Sequence, residues 1–195
     1  MRQVSTVPSW FPASETKPAP MPLLLVQGFV NTLDIEEGTD VLADSATARA
    51  WLVGARLLDP AARPTPPELE LAREVRESLR ALLRRDETGG DDAADRVAPL
   101  RTVTDAHRAH LTVAEDGAIE IESPRHEDLG DALFELLLIV HQAQEDGSWQ
   151  RLKVCANSDC EWAFYDRSRN QQGSWCDMAV CGNRLKNRQL RARRR

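Results

Sequence analysis

Cys155-Ala-Asn-Ser-Asp-Cys160 and, fifteen residues further on, Cys176-Asp-Met-Ala-Val-Cys181 hold every cysteine of this chain. Two close pairs separated by about 15 residues suit a structural zinc site, because tetrahedral Zn²⁺ takes four thiolates and the intervening loop can bring the pairs together. The gap of four inside each pair is looser than the commonest gap of two. Residues five apart on a regular helix point about 140° apart, so Cys176 and Cys181 cannot both ligate from one such helix. The chain must turn between them, with a helix starting near Cys181. Two disulfides and four unrelated core thiols are the competing readings. Disulfides need an oxidising compartment, for which the sequence carries no signal, and unrelated thiols would not all fall within 27 of 195 residues. Four thiolates also fill the tetrahedron, which argues against a catalytic metal.

The surroundings of the cysteines extend this reading. Trp162-Ala-Phe-Tyr-Asp166 has strand character, Arg167 through Gly173 reads as a turn, and Ser174-Trp175-Cys176 can return. A cysteine turn, a hairpin and a helix bearing the fourth ligand make a small treble-clef-like module. Beyond Cys181, Arg184, Arg188, Arg191 and Arg195 recur at i, i+4, i+7 and i+11, which places them on one helical face. Arginine offers phosphate a planar fork of donors and keeps its charge. A solubilising basic tail is the bland alternative. Residues 151–195 carry 11 Lys+Arg against 4 Asp+Glu, whereas residues 1–150 carry 14 against 27, so a net charge of −6 hides a +7 module on a −13 body. Arg151 and Lys153 lie near the module. Contacts to DNA are expected from Arg167, Arg169, Arg184, Lys186, Arg188, Arg191 and Arg193.

Upstream, the patterning is mostly helical. Residues 1–22, rich in Pro, Ser and Thr, read as a flexible tail. Leu23–Leu33 fits a helix or a buried strand by periodicity; we read a helix. Asp44 or Ser45 caps a helix with Ala48, Trp51, Leu52, Ala55 and Leu58 at helical spacing, stopped by Asp59-Pro60. Thr65-Pro66-Pro67-Glu68 is a capping box with proline in the first turn, and Leu69, Ala72, Val75, Leu79, Leu82 and Leu83 follow as one face. The opposite face, Glu70, Arg73, Glu74, Arg76, Glu77 and Arg80, reads as solvated. Residues 110–122 alternate around Asp116-Gly117 as a β-hairpin, which needs helices over one face because two strands alone are marginal. Asp128–Gln144 is apolar nearly all round and predicts a central buried helix. The expected whole is mainly α: a helical domain with a small hairpin over 23–150, then the zinc module over 151–195.

The segments Cys160-Glu-Trp-Ala-Phe-Tyr-Asp-Arg-Ser-Arg-Asn170, Trp175-Cys176-Asp-Met-Ala-Val-Cys181 and above all Cys181-Gly182-Asn183-Arg184 resemble the bacterial CGNR zinc-finger family. In that family the finger follows an ABATE domain, whose Phe-Val-Asn-Thr-Leu segment resembles Phe29-Val30-Asn31-Thr32-Leu33 here; Ala50-Trp51-Leu52 and Leu57-Leu58 also fit. The resemblance covers nearly everything after residue 23, specifically over the last 45 residues and loosely before them. It implies zinc ligation by Cys155, Cys160, Cys176 and Cys181, a mainly helical first domain, DNA binding by the finger, and a role in stress-induced transcription regulation. One departure stands out: family members carry further arginines just before the Trp-Cys pair, where this chain has Gln171-Gln172-Gly173-Ser174, so fewer phosphate contacts are expected from that loop.

No apolar run approaches the roughly 18 to 20 residues that cross a bilayer, and the N-terminus has no apolar core before a cleavage site, so a cytoplasmic protein is expected. His107, His110, His126 and His141 share no spacing with the cysteines, and Asn31 beside Thr32 reads as a helix-end pair. No phosphate loop, nucleophile elbow or zinc-hydrolase motif is present, and no enzyme is expected. The sequence therefore reads as a zinc-finger transcription regulator whose first domain senses or dimerises. Two rivals remain: an adaptor docking on an acidic partner such as a transcription-machinery subunit, and a thiol redox sensor. A homodimer fits a DNA reader but has no residue-level signal in this reading.

Overall fold

A computed structural model describes residues 8–84, 93–122 and 126–183. Its centre is the helix α5 (Leu129–Glu145), capped by Asp128, whose carboxylate accepts the N–H of Asp131. Leu129, Ala132, Leu133, Leu136, Ile139, Val140 and Ala143 are buried along it, as the unbroken apolar pattern requires. Against α5 pack α1 (Leu23–Val30), buried along its whole length, and α3 (Pro66–Arg84). The capping box at Thr65 forms as expected, with Glu68 accepting from the Thr65 backbone N–H at 2.7 Å. The Thr65 hydroxyl also donates to that carboxylate. The short helix α2 (Ser45–Gly54) is capped by Asp44 and ends at Ala55, several residues before Asp59-Pro60, because Arg56 takes a left-handed conformation (φ 61°).

Several expectations need correction. Residues 8–22 are a packed strap and not a tail. Phe11 and Ala19 are buried, and Trp10 meets Trp51 edge to face at 5.7 Å between centroids. Gly28 makes this fit possible, since a Cβ there would lie 2.7 Å from the Trp10 ring. Proline-rich chain can thus be ordered by its few aromatics when a partner surface exists. The charged face of α3 is not wholly solvated either: Arg76 and Arg80 are 3% and 1% exposed. Arg76 is fixed by Asp40 and Thr32, and Arg80 donates to the Val30 carbonyl at the end of α1 and to Glu77. Arg80 thereby satisfies an orphan carbonyl at the end of α1, and Arg76 is held by carboxylates.

The third correction concerns the hairpin β3 (His110–Val113) with β4 (Ile119–Glu122), which forms around the expected Asp116-Gly117 turn but with its aliphatic side chains exposed. The fourth is an unforeseen helix, α4 (Ala93–Ala106). Pro99 lies inside it, and Val103 is the residue it buries, so no apolar period announces it. A minimal strand pair, β1 (Leu33–Asp34) with β2 (Thr39–Asp40), completes the helical part. Among the described residues no helix is long and apolar enough to cross a membrane.

After a 3₁₀ turn (Ser148–Arg151), β5 (Leu152–Val154) pairs antiparallel with β6 (Ala163–Tyr165). Trp162–Asp166 thus supplies a strand, as its composition predicts, but its partner is 152–154 and not 174–176. The latter segment is joined to the β5–β6 connection by a backbone bond from the Ala156 N–H to the Ser174 carbonyl. Leu152, Val154 and Ala163 belong to the same buried cluster as α1, α3 and α5, so the small hairpin is built into the helical core.

Candidate metal centre

The β5–β6 hairpin carries Cys155 and Cys160 in its connection. There Asn157, itself buried, accepts the N–H groups of Cys160 and Glu161 on its backbone carbonyl. Glu161 follows at φ 46°, turning the chain back into β6. The second pair is held differently. Cys176 precedes Asp177, whose carboxylate caps a tight π-helical turn (Met178–Gly182) by accepting the N–H groups of Ala179 and Val180. Cys181 sits inside that turn, so the helical segment begins before the fourth cysteine. The extended Asp177 (φ −132°) is the turn that the spacing demanded.

All four sulfurs lie within 4.8 Å of one another. Cys160–Cys176 and Cys176–Cys181 are each 3.7 Å apart, against about 3.8 Å between corners of a tetrahedron with Zn–S bonds of about 2.3 Å. None of the cysteines is paired in a disulfide, and three of the four are buried. Hydrogen bonds from Cys160 and then Cys176 hold Cys155 as a thiolate, down to about 2. Giving that bond pushes Cys160 up to about 12 and raises Cys176 further. Burial, then the Cys155 charge, raises Cys181. A dication is what allows such a set to ionise together. The donor set therefore fits structural zinc in chemistry, spacing and burial.

Around the sulfurs, Trp162 and Trp175 form a small shell. The strap closes the outer edge: Glu15 accepts the Trp162 indole N–H at 2.6 Å, and the Lys17 ammonium donates to the Trp175 carbonyl while lying 4.8 Å over the Phe164 ring. The open edge of β6 is covered from α1. Asn31 accepts the Ala163 N–H at 2.7 Å and donates to the Ala163 carbonyl at 2.9 Å, and Gln27 adds a donor to that carbonyl at 3.1 Å. The Tyr165 N–H meets the Lys17 carbonyl. Side chains and strap together stand in for a neighbouring strand.

Asp166 organises the loop that follows β6. Burial raises its pKa, but bonds from Ser168, Lys153 and the Gly173 N–H outweigh this and hold it well below the ordinary carboxylate range. A Cβ on Gly173 would lie 2.9 Å from that carboxylate, which is why the position is glycine. Lys153 is consumed by this contact, and Arg151 donates to the Asp166 and Ser168 carbonyls. These two cations are structural members of the module. Arg167 and Arg169 are exposed on the loop, Arg167 donating to the Pro18 carbonyl. Arg184, Lys186, Arg188, Arg191 and Arg193 lie outside the described residues. A cleft of about 420 Å³ beside Cys160, Cys176 and Cys181 is lined by Glu15, Asp34, Glu37 and Asp177, so that face of the centre is acidic. His107 comes near Asp128 and Asp131, but these carboxylates are engaged by N–H groups at the start of α5.

A sequence profile described as "CGNR zinc finger" matches residues 151–194, and one described as ABATE, "putative stress-induced transcription regulator", matches residues 25–145. The chain belongs to the ABATE family and carries a CGNR zinc finger. No curated protein matches it. In the CGNR segment the structure gives each described residue a task. Cys181 joins the sulfur cluster, Gly182 leaves no room for a Cβ beside Met178 and Trp175, and Asn183 donates to the Ala179 carbonyl to close the turn. In the ABATE segment Asn31 is more than a helix-end residue, since it ties β6 of the finger to the end of α1. Sequence reasoning missed that role, as it did those of Gln27, Glu15 and Lys17; the one available signal was a glutamine and an asparagine four apart in an otherwise apolar helix.

Proposed function

We propose that this ABATE-family protein is a transcription regulator that binds DNA through its CGNR finger and the basic segment that follows it. The observation that carries the reading is the junction at Cys181-Gly182-Asn183. The turn closing the metal centre leads directly into a twelve-residue segment with seven Lys or Arg and no acidic residue. Phosphate contacts give affinity roughly in proportion to the cations supplied. The cleft beside the sulfurs is acidic and repels phosphate, while the exposed Arg167 and Arg169 add cations to those that the sequence supplies after Asn183. Zinc in this reading is structural: four thiolates close its coordination shell and the protein performs no catalysis. The helical domain shares its core with the finger through Leu152, Val154 and Ala163.

The test is fluorescence anisotropy of labelled duplex DNA with the zinc-loaded full chain across a salt series. A chain ending at Asn183 serves as comparison, because a cut after Gln150 would strip Leu152, Val154 and Ala163 from the core. The full chain is expected to bind with a linear log–log salt slope of about −3.6 to −5.4, corresponding to some four to six phosphates. The shortened chain should lose most of that slope. Equal binding by both chains, or none at low salt, overturns the reading and favours a protein partner.

A further inference from the structure

The β3–β4 hairpin is the feature that neither the metal centre nor the DNA reading uses. Its register sets Leu111 opposite Ile121 and Val113 opposite Ile119. Residues two apart on a strand share a face, so all four aliphatic side chains lie on one face and Thr112 and Glu120 lie on the other. That aliphatic face is turned to water: Leu111, Val113 and Ile119 are 70%, 72% and 71% exposed, and Ile121 is 44% exposed. The hairpin pairs with no other strand among the described residues. A two-stranded sheet standing alone is marginal in water, and this one spends its most β-prone residues on solvent.

We propose that this face is a self-association surface, on which the hairpin of a second copy of the chain packs about a two-fold axis. Three observations select a second copy. First, the four side chains leave on the order of 500 Å² of aliphatic surface to water, the size that marks an interaction site rather than scattered exposure. Doubled by symmetry this buries about 1,000 Å², the lower bound for a specific dimer contact. Second, the face is uncharged. Two chains of net charge −6 can meet there without opposing like charges, while a nucleic acid or an ionic partner gains nothing. Third, an even aliphatic face of two Leu/Ile and Val/Ile cross-strand pairs is self-complementary, as an isologous contact requires. The inference stands on the hairpin alone and does not depend on the DNA reading.

Sedimentation velocity over a concentration series, on the zinc-loaded full chain, tests this. Wild type is expected to show a reversible monomer–dimer equilibrium. Val113→Glu with Ile119→Glu should be monomeric throughout, with far-UV circular dichroism and zinc content unchanged. A gentler pair that keeps strand propensity or shape, Leu111→Thr with Ile119→Thr, should weaken the dimer at least about tenfold. Thr112→Glu, on the opposite face, should leave it intact. A wild type that stays monomeric, as it would if a different protein covers the face, overturns the proposal. So does a dimer that survives both pairs of substitutions, which would place the contact elsewhere.

Discussion

Replacing Asn31 by alanine tests whether finger and helical domain are one folding unit. In the native structure the Asn31 side chain accepts the Ala163 N–H and donates to the Ala163 carbonyl, on the edge of β6 that faces α1. Both residues are buried, so water does not replace the lost partner. The Ala163 carbonyl keeps Gln27, but the N–H is left unsatisfied, at about 1–3 kcal/mol. Losing the second bond adds about 0.5–1.5 kcal/mol, for a total of about 2–4 kcal/mol. With a urea slope near 2 kcal/mol/M, the midpoint should fall by about 1–2 M. The assay is equilibrium urea unfolding of the zinc-loaded chain, followed both by helix content and by tryptophan fluorescence. The two signals should move together, because Leu152, Val154 and Ala163 share the core of α1, α3 and α5. A midpoint change smaller than about 0.25 M, or a fluorescence transition that shifts while helix content does not, would refute the shared-unit reasoning.

Further outcomes follow from the same contacts. Gly28→Ala places a methyl 2.7 Å from the Trp10 ring and 3.2 Å from Phe11 and Trp51; a stability loss of about 1–3 kcal/mol is expected, with faster proteolysis in residues 8–22, and an unchanged cleavage rate would show that the strap does not depend on this fit. Asp40 is raised by burial, but bonds from Arg76 and the Leu42 N–H outweigh this and depress its pKa, so its stabilising contribution is complete above about pH 4 and fades as pH falls toward the folded value. Asp40→Asn should therefore cost about 1–3 kcal/mol at pH 7, where it removes one of the two carboxylates on the buried Arg76 and leaves Glu77, and less at pH 3; thermal unfolding of both proteins at the two values checks this, a pH-independent difference being the adverse result. Removing zinc with a chelator should lower the unfolding temperature of the entire chain in one calorimetric transition, by a loss on the order of 5–10 kcal/mol, whereas a helical transition left unmoved would contradict the common core.

Much of this architecture is legible in the sequence where local chemistry is strong. The capping box at Thr65-Glu68, the Asp44 and Asp128 caps and the apolar run of α5 each leave a local trace, and the structure follows them. The four cysteines announce their own convergence through spacing alone. What stayed hidden depends on contacts distant in sequence. Arg76 and Arg80 look solvated on a helical wheel and are buried because Asp40 and the end of α1 arrive opposite them. The strap looks like a tail because its ordering comes from Trp51, Trp162 and Trp175, up to about 160 residues away. The pairing of β6 with 152–154 was concealed by the short segments involved, since three-residue strands carry too little alternation to declare a partner. The helix α4 buries a single apolar side chain and contains a proline, so it has neither a period nor a clean stop.

The central claim is that four thiolates, brought together by the β5–β6 connection and the Asp177-capped turn, hold one structural zinc ion. X-ray absorption at the zinc edge, with metal stoichiometry on the same sample, tests it most directly. One zinc per chain with four sulfur neighbours at about 2.3 Å is the expected result. A mixed shell containing nitrogen or oxygen, or a metal-free chain whose cysteines are joined as disulfides, would contradict it.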